Sequence, residues 1–275
     1  MISVLQCKTN YLTKRKKTMK ILFIGDIVGR IGCEHLRRIL PDFKRRHNVG
    51  LVIANGENSA DRNGITPETA EHIFTSGVNV ITTGNHAFRQ SSCNYYYEEC
   101  PYIIRPANFP EPSYGKGFCI VDMISAQVCV INLLGNVFMN QYGSPFELVD
   151  KLIDENSGCP IKIIDFHAEA TAEKKAFAYY CDGRVSAVLG THTHVPTADA
   201  QILPNKTAYI TDVGMTGAVD SVLGVKKEQS IAWLTGKSLS ARFDPADGTC
   251  QMDCVLMDID AKTGRAVSVE QFLIR

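Results

Sequence analysis

The chain is 275 residues long, enough for one large domain or two modest ones; at 45% hydrophobic and 21% charged it reads as a globular protein, not a fibrous or disordered one. Lys plus Arg equal Asp plus Glu at 29 each, so there is no global positive field to grip long nucleic acid. No apolar run approaches the roughly 20 residues of a bilayer span, so no membrane partner is expected.

Residues 1–18 read as a basic, disordered extension ahead of Met19, with Met19 as the functional start. Residues 19–275 then read as a single domain. KILFIGD is a continuous apolar run of strand length, and CEHLRRILPDFKRRH follows with Leu36, Ile39, Leu40 and Phe43 at helical spacing. LVIANGEN is a second strand. A helix opens at Thr66-Pro67 and stops near Gly77. NVITTGNH and QVCVINLLG are further strands, SPFELVDKLIDEN is a helix opened by Ser144 and Pro145, and IKIIDFH, SAVLGTHTHV and TAYITDVG are strands again. CVLMDID and AVSVEQFLIR pair as a terminal hairpin. The alternation predicts an α/β protein, and the strand-rich last third points to a second sheet stacked on the first.

The ten cysteines are scattered with no CxxC pair, and several lie inside apolar runs, as small hydrophobes do. Reduced thiols and a cytoplasmic location are expected, and a thiolate metal site is not.

In open α/β sheets the functional site forms beyond the carboxyl ends of the strands. Those positions hold Asp26; Glu57 and Asn58; Asn85 and His86; His167; and His192 and His194. Taken singly, each has an ordinary structural explanation, as a cap, a turn residue or a buried histidine. Their shared topological position outweighs those explanations. Carboxylate, amide oxygen and imidazole suit manganese, iron or zinc. Seven candidate ligands (Asp26, Glu57, Asn58, Asn85, His167, His192 and His194) are too many for one tetrahedral zinc, and suit two ions about 3.5–4 Å apart that cleave a phosphoester. His86, surplus to that set, is placed to protonate the leaving oxygen.

GDIVG, NGEN, GNH, FHAEAT and GTHTHV, in this order, resemble the calcineurin-like metallophosphoesterase superfamily. RPANFP, DFHAEAT and TDVGMTG narrow the resemblance to the YmdB-like branch, described as 2′,3′-cyclic-nucleotide phosphodiesterases. The resemblance implies a four-layer α/β/β/α sandwich and a centre of two divalent or trivalent ions, iron or manganese. It further implies one ion on Asp26, Glu57 and His194, a second on Glu57, Asn85, His167 and His192, Asn58 in the metal shell, and His86 as the catalytic histidine. Three features depart from the wider superfamily. Glu57 takes the place of the usual bridging aspartate. The first motif reads Asp26-Ile27-Val28 instead of DxH, and Ala87 stands where an acid commonly orients the catalytic histidine.

The expected activity is metal-dependent hydrolysis of a small nucleotide phosphoester, most naturally a 2′,3′-cyclic one. A phosphomonoesterase or nuclease on the same centre, and a low-turnover regulatory nucleotide-binding protein, are the other readings. An amidohydrolase is disfavoured because its HxH pair follows an early strand, and here the pair comes late. The oligomeric state, a homo-oligomer included, is left open.

Overall fold

The computed structural model describes residues 18–240 and 242–275. The expected basic extension therefore lies outside the described residues except for Thr18, which already pairs with Asp260 as the first residue of a strand.

That strand, β1 (Thr18–Ile24), runs into the short β2 (Asp26–Ile27), and α1 (Gly29–His47) follows, carrying Pro41 inside it. Lys44, Arg45, Arg46 and His47 in its last turn complement the negative end of the helix dipole. Next come β3 (Leu51–Asn55) and α2 (Pro67–Thr75), whose first turn is closed by reciprocal bonds between Thr66 and Thr69. Then follow β4 (Val80–Thr82), α3 (Asn94–Glu99) and β5 (Ile103–Ile104). The middle of the chain gives β6 (Phe118–Asp122), β7 (Gln127–Leu134), α4 (Pro145–Glu155), β8 (Ile161–His167), α5 (Thr171–Cys181) and β9 (Ala187–Thr191). The remainder is β10 (Gln201–Ile202), β11 (Ala208–Ile210), β12 (Met215–Ala218), α6 (Lys227–Leu234), β13 (Cys250–Asp260) and β14 (Ala266–Ile274).

Two sheets result. The first, of eight strands, runs β2-β12-β13-β1-β3-β4-β5 with β14 on β13, and the second, of six, runs β10-β11-β9-β8-β7-β6. Ile21, Phe23, Ile53 and Val255 of the first sheet share one buried core with Val130, Ile163, Leu189 and Ile210 of the second. The outer face of the first sheet packs Leu36, Leu40, Ile73 and Tyr97 from α1, α2 and α3. The outer face of the second packs Val149, Leu152, Phe177 and Ala178 from α4 and α5. This is a four-layer α/β/β/α sandwich, as expected.

One expectation needs correcting. The second sheet is built from the middle of the chain, and the terminal hairpin instead enters the first sheet, with β13 between β1 and β12. The apolar alternation of a strand shows that one face is buried but not which sheet buries it.

The parallel strands β1, β3 and β4 of one sheet and β8 and β9 of the other end on the same side of the sandwich. Nine described cysteines are free. Among the described residues, no helix is long and apolar enough to cross a membrane.

Candidate metal centre

Every candidate ligand named from the sequence lies in one cluster at these strand ends. Glu57 is its middle. Its Oε1 is 3.1 Å from His167 Nε2 and 3.5 Å from His86 Nδ1, and accepts from Asn58 Nδ2 at 3.2 Å. Its Oε2 accepts the backbone N–H of His86 at 3.0 Å. On one side, His167 Nε2 also faces Asn85 Oδ1 and His192 Nδ1, each at 3.0 Å. On the other, Asp26 Oδ1 is 3.7 Å from His194 Nε2, which is itself 3.2 Å from Asn58 Nδ2.

The donor chemistry fits a cation. His167 Nε2 carries at most one proton, yet three groups that offer lone pairs converge on it. Asp26 Oδ1 is buried with no hydrogen-bond partner, a costly state for a carboxylate oxygen unless a cation answers it. Ligand atoms of Glu57, His167 and His192 all lie within 4.8 Å of one another.

The local backbone is shaped to make this approach possible. A Cβ at Gly84 would stand 2.3 Å from Glu57 Oε2 and 2.4 Å from His167 Nε2, so the residue before Asn85 and His86 has no room for a side chain. His192 and His194 have φ of 101° and 62°, in the left-handed half of the map, where residues other than glycine are strained. That loop is pinned by carboxylates. Asp26 Oδ2 accepts the His192 N–H and Asp212 Oδ2 accepts the Thr193 N–H, both at 3.1 Å. Asp212 is held in turn by the buried Lys174 ammonium at 2.7 Å.

Burial acts against charge at Glu57, His167, His192 and Asp26, and at the first two the neighbours outweigh it. It pushes the Glu57 carboxyl up, but His167 and His86 outweigh it and hold Glu57 well below its usual range. For His167 burial favours the neutral ring, and the Glu57 and Asp26 carboxylates overturn this, lifting it to about 9. Burial and the neighbouring His167 lower His192 to about 3, leaving its ring neutral with a lone pair to offer. Asp26 is raised, chiefly by burial.

Several positioning residues lie inside the motifs quoted from the sequence but are not among its named candidates. Thr191 donates to Asp165 Oδ1 at 2.6 Å, so its oxygen is left to accept from His167 Nδ1 at 2.8 Å. The relay keeps the proton on Nδ1 and turns Nε2 toward Glu57, the usual way an outer partner orients a ligand histidine. Thr82 and Asn55 donate to the other oxygen of Asp165 at 2.5 and 3.0 Å. Burial, only partly opposed by His167 and these donors, raises Asp165 to about 6. Glu169 Oε2, in the loop after β8, meets His192 Nε2 at 3.0 Å. The missing acid after His86 has a substitute: Asn58 Oδ1 stands 3.1 Å from His86 Nδ1. Asn58 thus spans the cluster, with its oxygen on His86 and its nitrogen on Glu57 and His194.

A cavity of about 350 Å³ opens over Glu57, His86, His192 and His194. Its far wall is apolar, with Val222, Leu223, Trp233, Leu234 and Phe243, and the Trp233 and Phe243 rings meet edge to face at 5.9 Å.

The model of the YmdB-like protein family matches residues 22–272. The 2′,3′-cyclic-nucleotide 2′-phosphodiesterase of Bacillus subtilis is 44% identical over 257 residues, 93% of this chain and 97% of that protein. The crystal structure of a phosphatase from Mycoplasma pneumoniae superposes with a TM-score of 0.89 at 33% identity, covering 94% of both chains. A hypothetical protein of Thermus thermophilus superposes with a TM-score of 0.86 at 38% identity, over 93% of this chain and 98% of that one. The chain belongs to the YmdB-like family and is an enzyme of the metallophosphoesterase class.

Proposed function

We propose that this protein is a metal-dependent phosphodiesterase of small nucleotides, opening 2′,3′-cyclic phosphates. The observation that carries the reading is the convergence of Asn85, His167 and His192 on one side of Glu57, and of Asp26, Asn58 and His194 on the other. The likeness to the Bacillus subtilis enzyme supports the substrate class. Glu57, Asn85, His167 and His192 would hold one ion and Asp26, Glu57 and His194 the other, with Asn58 beside both; the ligand types suit iron or manganese. When bound, such a pair supplies Lewis acidity toward the phosphoryl oxygens and a water acidic enough to ionise near neutral pH.

The protein's own residues do the rest. The water oxygen bonds to phosphorus as the bond from phosphorus to O2′ breaks, and the departing O2′ needs a proton. His86 lines the cavity and has its Nδ1 engaged by Asn58, so Nε2 is the nitrogen left to deliver that proton. The product is a nucleoside 3′-phosphate. The Trp233–Phe243 wall offers the nucleobase an aromatic surface, and a base stacked on such a ring gains about 1–3 kcal/mol.

The decisive test is metal content together with hydrolysis of 2′,3′-cyclic AMP and bis-p-nitrophenyl phosphate, for the wild type, Glu57→Ala and His167→Ala. The expected result is metal in the wild type, chelator-sensitive turnover of the cyclic nucleotide, and loss of both in the variants. Wild-type rates in either variant would refute it, and metal binding without turnover of any ester would favour the regulatory reading.

A further inference from the structure

The catalytic cavity does not end at its apolar wall. A second cavity of about 380 Å³ adjoins it, with Asn63, Val225 and Phe243 lining both. This extension is lined by Arg62, Arg89 and Arg242. They come from three separate places: the loop that follows the Glu57 ligand, the turn three residues beyond His86, and the segment after α6. All three are exposed, and among the described residues none of the three guanidinium groups has an ion-pair or hydrogen-bond partner. The acid that also lines the extension, Asp244, is engaged by the Gln229 amide at 2.8 Å. In a chain with equal numbers of acidic and basic residues, three unpartnered guanidinium groups around one cavity are a local field aimed at an anion. Arginine's planar fork suits phosphate oxygens in particular.

We propose that this extension binds a second phosphate, the phosphodiester on the 5′ side of the reacting nucleoside, so that the substrate is the 2′,3′-cyclic phosphate end of a short oligoribonucleotide. The proposal rests on the reading of the first cavity as a cyclic phosphodiesterase site. A nucleoside 2′,3′-cyclic monophosphate has one phosphate, which the metal centre consumes, and nothing left for the arginines. One more nucleotide supplies an internal phosphate with a permanent charge. The shared residue Phe243 belongs to both cavities, so the terminal base on the Trp233–Phe243 wall and the next phosphate among the arginines are contiguous parts of one ligand. The chemistry places this enzyme after ribonucleases that leave a 2′,3′-cyclic phosphate, consuming their product ends.

The test compares the metal-loaded wild type with an Arg62→Ala, Arg89→Ala, Arg242→Ala triple variant. Adenosine 2′,3′-cyclic phosphate and the dinucleotide ApA with a terminal 2′,3′-cyclic phosphate are the two substrates. The readout is the ratio of kcat/KM, dinucleotide over mononucleotide. It is expected to exceed about tenfold in the wild type, the scale of one charge-assisted contact, and to fall toward unity in the variant. The preference should also weaken with salt, with a slope of about 0.7 in log affinity per phosphate held. A wild-type ratio near unity, or a ratio unchanged in the variant, overturns the proposal. Binding of a fluorescent ApA 3′-phosphate is measured in parallel by anisotropy. If neither cyclic substrate is turned over, the cyclic-phosphodiesterase reading fails. In that case arginine-dependent binding of the dinucleotide still supports the second phosphate site, and its absence overturns that too. Single Arg→Lys variants, which keep the charge, control for misfolding and should retain part of the preference.

Discussion

His86 is the residue on which proton delivery is proposed to turn, and its neighbours let that role be separated from metal binding. Its ring touches Glu57 at 3.5 Å and Asn58 at 3.1 Å but belongs to neither proposed ligand set. His86→Asn is expected to keep the metal content and to lower kcat by about 10²–10⁴. The loss should be smaller on bis-p-nitrophenyl phosphate, whose leaving group needs no proton. His167 gives a pH dependence. Its proton, held up to about 9 by Glu57 and Asp26 despite burial, stabilises the metal-free protein fully below the ordinary histidine range; this contribution is lost as pH rises through 9. A metal ion must displace that proton from Nε2. Observed affinity should therefore climb about tenfold per pH unit up to roughly 9 and level off above it. Competition with a chromophoric chelator across that range would show it, and a flat profile would mean that His167 gives up no proton to the ion.

The strand-end residues Asp26, Glu57, Asn85, His167, His192 and His194 were legible in the sequence because each follows a continuous apolar run. Asp165, Thr191 and Asn55 were not. They lie within the strands themselves or at their ends: Asp165 and Thr191 become partners across neighbouring strands of the second sheet, and Asn55 reaches Asp165 only when the two sheets face each other.

At the scale of elements, α5 ties the histidine loop to the core. Its Lys174 is 1% exposed and bonded to Asp212 Oδ2, the oxygen that also fixes the Thr193 N–H between the two loop histidines. Lys174→Met leaves Asp212 buried and uncompensated, and should cost about 3–5 kcal/mol of unfolding free energy, measured by urea denaturation. An accompanying loss of metal affinity is expected, because the strained loop at His192 and His194 loses its anchor. The double variant that also carries Asp212→Asn should recover much of the stability. Two buried charged residues explain why α5 was not anticipated from the sequence. Glu173 and Lys174 face inward, so the helix shows no clean apolar stripe, whereas α1, α2 and α4 each present one. The Trp233-bearing α6 was missed for the opposite reason, being mostly exposed and giving its apolar side chains to a cavity, not to a core.

Across the whole molecule, the metal centre joins elements from residue 26 to residue 194 and both sheets. Any ion held there binds the folded state alone and stabilises all of it. At about a hundredfold excess over Kd this amounts to about 2.7 kcal/mol, so chelation should lower Tm and manganese should restore it. An unchanged Tm would mean that the cluster is complete without an ion. The α/β class was legible from the βαβ rhythm and the four-layer sandwich from the family resemblance, but the pairing of distant strands was not. Which neighbour β13 chooses is decided by tertiary contacts that leave no period in the sequence.

The position of β13 has a consequence for how the protein is made. Cys250–Asp260 fill the gap between β1 and β12, so the middle of the first sheet is completed by residues made more than 200 positions after β1. Until then β1 has only β3 beside it and shows an open edge, a template for pairing with other chains. The second sheet is contained within residues 118–210, so all of its strands are made before β13, and the first sheet is the one whose edge stays open longer.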